Sequence, residues 1–241
     1  MANGEQVALE AGKLGISVLC TTVAPEDFES AHARFAHLGN VRVAAGLHPW
    51  WVEDGPYGNE RVKMTVRATA QSDYVGEIGL DFSRAHRNTA DAQIEAFDRI
   101  IAACSDYQRA GRLLSIHAVQ SASAALDILE RHEITWQSSC VFHWFSGTSD
   151  DFARLRRLGC YISVSERMLA TKRGREYARQ MPLERLLLET DAPAQLNSAY
   201  SAHLLRKSLD SALRTLAELR SENKGELAAH IAQTSSQLLD L

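Results

Sequence analysis

The chain has 241 residues, of which 45% are apolar and 23% charged, with a formal net charge of −4. That length suits one large α/β domain or two small ones, and the charge excludes a global basic field for nucleic acid while allowing a local basic patch. No apolar run approaches the roughly 20 residues of a membrane span, and the N-terminal stretch MANGEQVALEAG lacks the basic and apolar regions of a signal peptide. The four cysteines, Cys20, Cys104, Cys140 and Cys160, show no CxxC spacing, so reduced thiols in a cytoplasmic protein are expected.

Taken in order, Gly4 to Lys13 reads as a short helix with Val7, Ala8 and Ala11 on one side. The β-branched run from Ile16 to Val23 predicts a strand. Pro25 then opens a helix with Phe28, Ala31, Phe35 and Leu38 at helical spacing, stopped by Gly39-Asn40. A second strand, Val41 to Leu47, leads into His48-Pro49-Trp50-Trp51. A weaker helix from Asn59 to Ala70 and a third strand from Tyr74 to Leu80 follow. Between Thr89 and Ala110 the residues Ile94, Phe97, Ile100, Ile101, Cys104 and Tyr107 form one apolar stripe, and Gly111 supplies the stop. Beyond it the pattern predicts strands at Leu113–His117, Ser138–Trp144, Cys160–Val164 and Leu186–Asp191. Helices fall between them at Ser121–Arg131, Ser149–Leu158 and about Ala170–Gln180, and two more finish the chain near Ala199–Arg220 and Lys224–Leu239.

Such alternation with short connections implies a parallel sheet covered by helices, in a single domain over residues 1–241. No GxGxxG or GxxxxGK[ST] opens a helix. Polar residues end strands all around the sheet, which favours a TIM-type (β/α) barrel over a doubly wound sheet. A full barrel has eight parallel strands, so the seven found here predict that one is missing at an end.

Four of the strands carry a metal-capable side chain near the C-terminal end: Glu77 in VGEIGLDF, His117 in LLSIH, His143 in CVFH and Asp191 in LLLETD. In a barrel those ends meet at one mouth. Nitrogen and oxygen ligands without thiolate suit a divalent ion such as Zn, Mn, Mg or Fe, which acidifies a bound water. Arg84, Arg87, Arg167, Lys172 and Arg173 follow strand ends and are expected to rim that mouth, where a phosphodiester needs cations. Trp50, Trp51 and Tyr57 suit either base stacking or packing beneath a loop, and packing is the simpler expectation.

The segments GLHP (Gly46 to Pro49), VGEIGLDF, SIHA (Ser115 to Ala118), FHWFSG (Phe142 to Gly147) and LLLETDAP (Leu186 to Pro193) occur in this order. Together they resemble the TatD family of metal-dependent deoxyribonucleases, of the amidohydrolase-like barrel superfamily. The resemblance implies that Glu77 bridges two metals and that His117 and His143 hold one of them. It implies further that Asp191 holds the other and orients the nucleophilic water, and that His48 contacts substrate phosphate. The substrate it implies is a DNA end or a short oligonucleotide. The family's first strand carries an HxH pair that completes the Asp191 metal, and no HxH occurs in this sequence. The expectation is therefore that the chain starts late, downstream of that strand, and holds one ion or none. Val119 stands where the family usually has Arg, and Ala194-Gln195-Leu196-Asn197-Ser198 replaces its basic segment. The competing expectations are a non-catalytic or weakly active barrel with an incomplete metal site, and an amidohydrolase-type enzyme acting on an amide or ester.

Overall fold

The alternation is realised as seven strands and ten α-helices among the residues described in this computed structural model, which are 2–107, 109, 111–193 and 198–241. In chain order these are α1 (Gly4–Lys13), β1 (Val18–Thr21), α2 (Phe28–Phe35), β2 (Val41–Ala44), α3 (Pro56–Thr69), β3 (Tyr74–Asp81), α4 (Ala90–Asp106), β4 (Arg112–Val119) and α5 (Ala122–Arg131). They continue with β5 (Ser138–His143), α6 (Ser149–Arg157), β6 (Tyr161–Val164), α7 (Glu166–Leu169), α8 (Lys172–Gln180), β7 (Leu186–Leu188), α9 (Ala202–Arg220) and α10 (Lys224–Leu239). Met1 and the replaced stretch Ala194–Asn197 lie outside the described residues, as does Ala110, the expected end of α4. No described helix is long and apolar enough to cross a membrane.

The chain divides into two compact units that interleave in sequence. One comprises Met1–Leu19, Arg34–Arg42 and Ile162–Leu241, and the other Cys20–Ala33 and Val43–Tyr161.

In the second unit β3, β4 and β5 run parallel, with Gly79 opposite His117, Leu114 opposite Cys140 and Ile116 opposite Phe142. The register slips between Val75 and Ile78, so Glu77 sits in an irregularity of β3. Such irregularities re-aim one side chain without ending the strand. The glycines around it allow backbones to touch. A Cβ on Gly79, whose φ is +137°, would lie 2.1 Å from the His117 carbonyl oxygen, and one on Gly46 would lie 2.1 Å from Thr22 O and 2.4 Å from Glu77 N. Thr22 uses that closeness: its hydroxyl donates to Ala44 O and accepts from Gly46 N, while its carbonyl receives the Glu77 amide at 3.1 Å.

Helix α4 buries Phe97, Ile100, Ile101 and Cys104, and α5 buries Leu126 and Leu129. Tyr107, expected on that stripe, is about half exposed because α4 ends at Asp106 and Tyr107 leaves helical geometry. Arg112 opens β4 fully buried, and its guanidinium donates to Thr69 O at 2.7 Å and Cys104 O at 2.6 Å. Those carbonyls belong to the last turns of α3 and α4, where a cation complements the negative helix ends.

In the first unit β6 and β7 pair in parallel, Ile162 with Leu186 and Val164 with Leu188. Val7 and Ala11 of α1 form an apolar cluster with Ala202 and Leu205 of α9, joined by Leu14, Ile16 and Tyr200. Asn3 pins Tyr200 by accepting from its amide and donating to its carbonyl, each at 2.9 Å. The expected helix over 170–180 starts at Lys172, because the Thr171 hydroxyl caps it by accepting from Gly174 N at 2.9 Å. Strand β7 stops three residues before the predicted Asp191, whose φ of +50° is incompatible with extended backbone.

Candidate metal centre

Three imidazoles of the second unit converge on one carboxylate oxygen. Glu77 Oε1 lies 2.6 Å from His143 Nε2, 2.9 Å from His117 Nδ1 and 3.2 Å from His48 Nε2. His117 Nδ1 and His143 Nε2 are 3.1 Å apart. His117 reaches this point from β4, His143 from the last residue of β5, and His48 from the loop after β2. An ion bound tetrahedrally at about 2.0–2.2 Å holds neighbouring ligand atoms roughly 3.3–3.6 Å apart. The atoms here stand 2.6–3.2 Å apart, closer than that spacing, so the side chains suit a divalent ion once their contacts open.

His48, Glu77 and His117 can each present one ligand atom within 4.8 Å of the others. The hydrogen bonds divide the imidazoles further. Nδ1 of His48 accepts the Trp50 amide at 3.2 Å, so its proton resides on Nε2, which faces Glu77. Ligation through Nε2 would require the opposite tautomer and would set two N–H groups against each other. His48 is therefore a donor at this site. His117 is arranged the other way: Nδ1 faces Glu77 and His143, while Nε2 points at Asp81 Oδ2, 3.4 Å away. With an ion bound, a carboxylate on the far nitrogen would hold the proton there and leave Nδ1 its lone pair, the usual arrangement of a metal-ligating histidine.

The electrostatics follow from burial and from these partners. Burial raises the Glu77 carboxyl, but the charge of His143 and hydrogen bonds from His117, His143 and His48 outweigh it and hold the group well below the carboxylate range. Burial likewise opposes ionisation of Asp81, yet bonds from His117, Ser83 and Trp50 keep it low. His48 is pushed down by burial more than its bond to Glu77 lifts it. For His117 burial loses to Asp81 and Glu77, and its pKa is raised. Both carboxylates are thus negative at neutral pH, facing imidazoles that the ion would hold in neutral form.

The remaining sequence candidates are placed as follows. Arg84 is exposed in the loop after β3. Asp191 belongs to the first unit, with its side chain 42% exposed and Oδ2 3.8 Å from Arg167 Nη1. Lys172 is the exposed first residue of α8 in that unit. The first unit holds a cavity of about 390 Å³ lined by Ser165, Glu166, Arg167, Thr190, Tyr200 and Lys207. Sequence reading missed Asp81, although the LDF of VGEIGLDF contains it. Its role depends on a contact to His117, 36 positions away.

A family model described as TatD related DNase matches residues 2–240. The chain belongs to the TatD-related DNase family. A TatD 3'-5' ssDNA/RNA exonuclease of Edwardsiella piscicida is 30% identical over 197 residues, covering 78% of this chain and 72% of that protein. The deoxyribonuclease Tat-D of Schizosaccharomyces pombe is 31% identical over 134 residues, 55% of this chain and 42% of the relative, so the matched region is less than half of that protein's length. Among solved structures, the TatD homologue YJJV from Escherichia coli K12 superposes with a TM-score of 0.81 at 23% identity, covering 99% of this chain and 92% of that one. The α/β fold is that of the TatD TIM-barrel structures, as its interleaved parallel strands and helices predict.

Proposed function

We propose that this TatD-family chain is a cytoplasmic metal-dependent phosphodiesterase acting on DNA ends or short single-stranded oligonucleotides, with residues 1–241 forming one catalytic domain. The observation that carries this reading is the convergence of three imidazole nitrogens within 3.2 Å of Glu77 Oε1, in a chain similar to named exonucleases. In this reading Glu77, His117 and His143 hold one divalent ion, and Asp81 orients His117. No HxH pair occurs in the 241 residues to complete a second site beside Asp191. When bound, the ion supplies an acidified water and positive charge against the phosphate.

The protein's own groups do the rest. The Nε2 proton of His48 is directed toward the centre and donates to a non-bridging phosphate oxygen. By resemblance to the family, Asp191 is the group that takes the proton of the attacking water. Arg84 and Lys172, both exposed cations, neutralise flanking phosphates. The test is His143→Ala, which removes one ligand while leaving the strand that carries it. Metal content measured by mass spectrometry should fall well below one per chain, and cleavage of a 5′-labelled oligonucleotide should drop by orders of magnitude. Full activity in that variant would place the chemistry elsewhere.

A further inference from the structure

We infer that Trp50 is a nucleobase-stacking platform that seats one base of a single strand beside the Glu77 centre. This rests on the reading of the site as one for nucleic acid, and it adds the part of the substrate recognised there. Two features set Trp50 apart from a packing aromatic. First, 51% of its surface is exposed, although its centroid lies 4.9 Å from His48 and 6.3 Å from His117. Second, the exposed ring is immobilised. Its indole N–H donates to Asp81 Oδ2 at 2.6 Å, and its ring stacks on His86 at 4.8 Å with an interplanar angle of 11°.

A half-exposed tryptophan tied by a hydrogen bond to a buried carboxylate has lost the freedom to fold away from water. That arrangement leaves apolar surface open beside a polar centre. It is the composition of a site for a flat, π-faced group attached to an anion, which describes a nucleotide of an unpaired strand. The same Asp81 oxygen receives the Trp50 N–H and faces His117 Nε2. The platform and the ligand nitrogen are thereby referenced to one atom, which keeps a stacked base at fixed reach from the phosphate under attack. A base inside a duplex has both faces covered by its neighbours, so the platform selects single strands or frayed ends. Tyr57, also exposed, directs its hydroxyl to Glu26 rather than to the carboxylate behind His117.

The experiment separates base recognition from cleavage. Binding of a fluorescein-labelled, phosphorothioate-protected hexathymidylate is followed by anisotropy, alongside hexamers carrying one abasic site at each position in turn. For wild-type protein, an abasic site at one position should weaken binding about 5- to 150-fold, the range of one stacked base. Trp50→Ala should bind the complete hexamer that much more weakly and be indifferent to the abasic site at that position. Trp50→Phe, which keeps a ring but loses the N–H, should retain most of the base dependence. Wild-type protein insensitive to every abasic site would overturn the proposal, as would Trp50→Ala retaining wild-type discrimination. Cleavage of an unprotected hexamer is measured separately. Base-dependent binding without cleavage would remove the phosphodiesterase reading alone, and cleavage without base dependence would remove the stacking platform alone.

Discussion

His117 does two things with its two nitrogens: Nδ1 faces the shared point at Glu77 and Nε2 faces Asp81. A neutral imidazole can ligate through one nitrogen only if the other carries the proton, and an acceptor on that side holds it there. Asp81→Asn should preserve the shape and the tryptophan contact while offering a weaker acceptor. We expect metal affinity to fall about 10- to 100-fold, the usual cost of losing such a supporting group. Competition against a chromogenic chelator measures it, and wild-type affinity in the variant would mean that Asp81 does not orient the ring. His48 shows the opposite logic, since the Trp50 amide fixes its tautomer so that it donates toward the centre. The sequence placed His48 among the substrate contacts only by resemblance. The amide that fixes its tautomer lies two residues away and becomes visible only with the turn that follows it.

At the scale of elements, β3 is shaped by what its glycines lack. Glu77 reaches the centre because the register slips beneath it and because Gly79 lets the β4 backbone approach. Gly79→Ala would set a methyl 2.1 Å from the His117 carbonyl at a φ of +137°. The two strands must then separate, at a cost of roughly 2–4 kcal/mol. A lower thermal midpoint together with reduced metal affinity is the expected result, since the displaced carbonyl belongs to His117, whose ring faces Glu77. An unchanged midpoint would show that the strands can absorb the methyl. The positions of these elements were readable because helices and strands here keep clean apolar periods: α1 and α10 begin and end where their patterns do. What could not be read was the ends of strands. Strand β4 begins at Arg112, one residue earlier than its apolar run, because a buried arginine bonded to two helix-end carbonyls replaces the apolar residue expected there. Periodicity records polarity, and a buried charge bonded to helix-end carbonyls has the wrong polarity for its place.

For the whole molecule, the net charge of −4 means that affinity for an anionic strand must come from local groups and a bound cation. Three of the candidate side chains were legible because each ends an apolar run, a pattern with few structural explanations when repeated. Asp81 and Trp50 were not, because their significance lies in contacts to each other and to His117. The grouping makes a prediction about stability. Glu77 and three imidazoles crowd one point, Asp81 stands behind His117, and both carboxylates are held in the charged form. A divalent ion held there would find no assembled site in the unfolded chain, so its binding free energy would add to folding. At a free concentration of about 100 times the dissociation constant, the gain is about 2.7 kcal/mol. For a chain of this size each kcal/mol raises the thermal midpoint by about 2–4 °C, giving a shift of about 5–11 °C. Chelation of the wild-type protein should lower the midpoint by that amount, and adding back the divalent ion should restore it. His143→Ala should unfold at one temperature with or without chelator. A wild-type midpoint insensitive to both chelator and added metal would mean that Glu77, His117 and His143 hold no ion, and that their contacts are an internal hydrogen-bond network only.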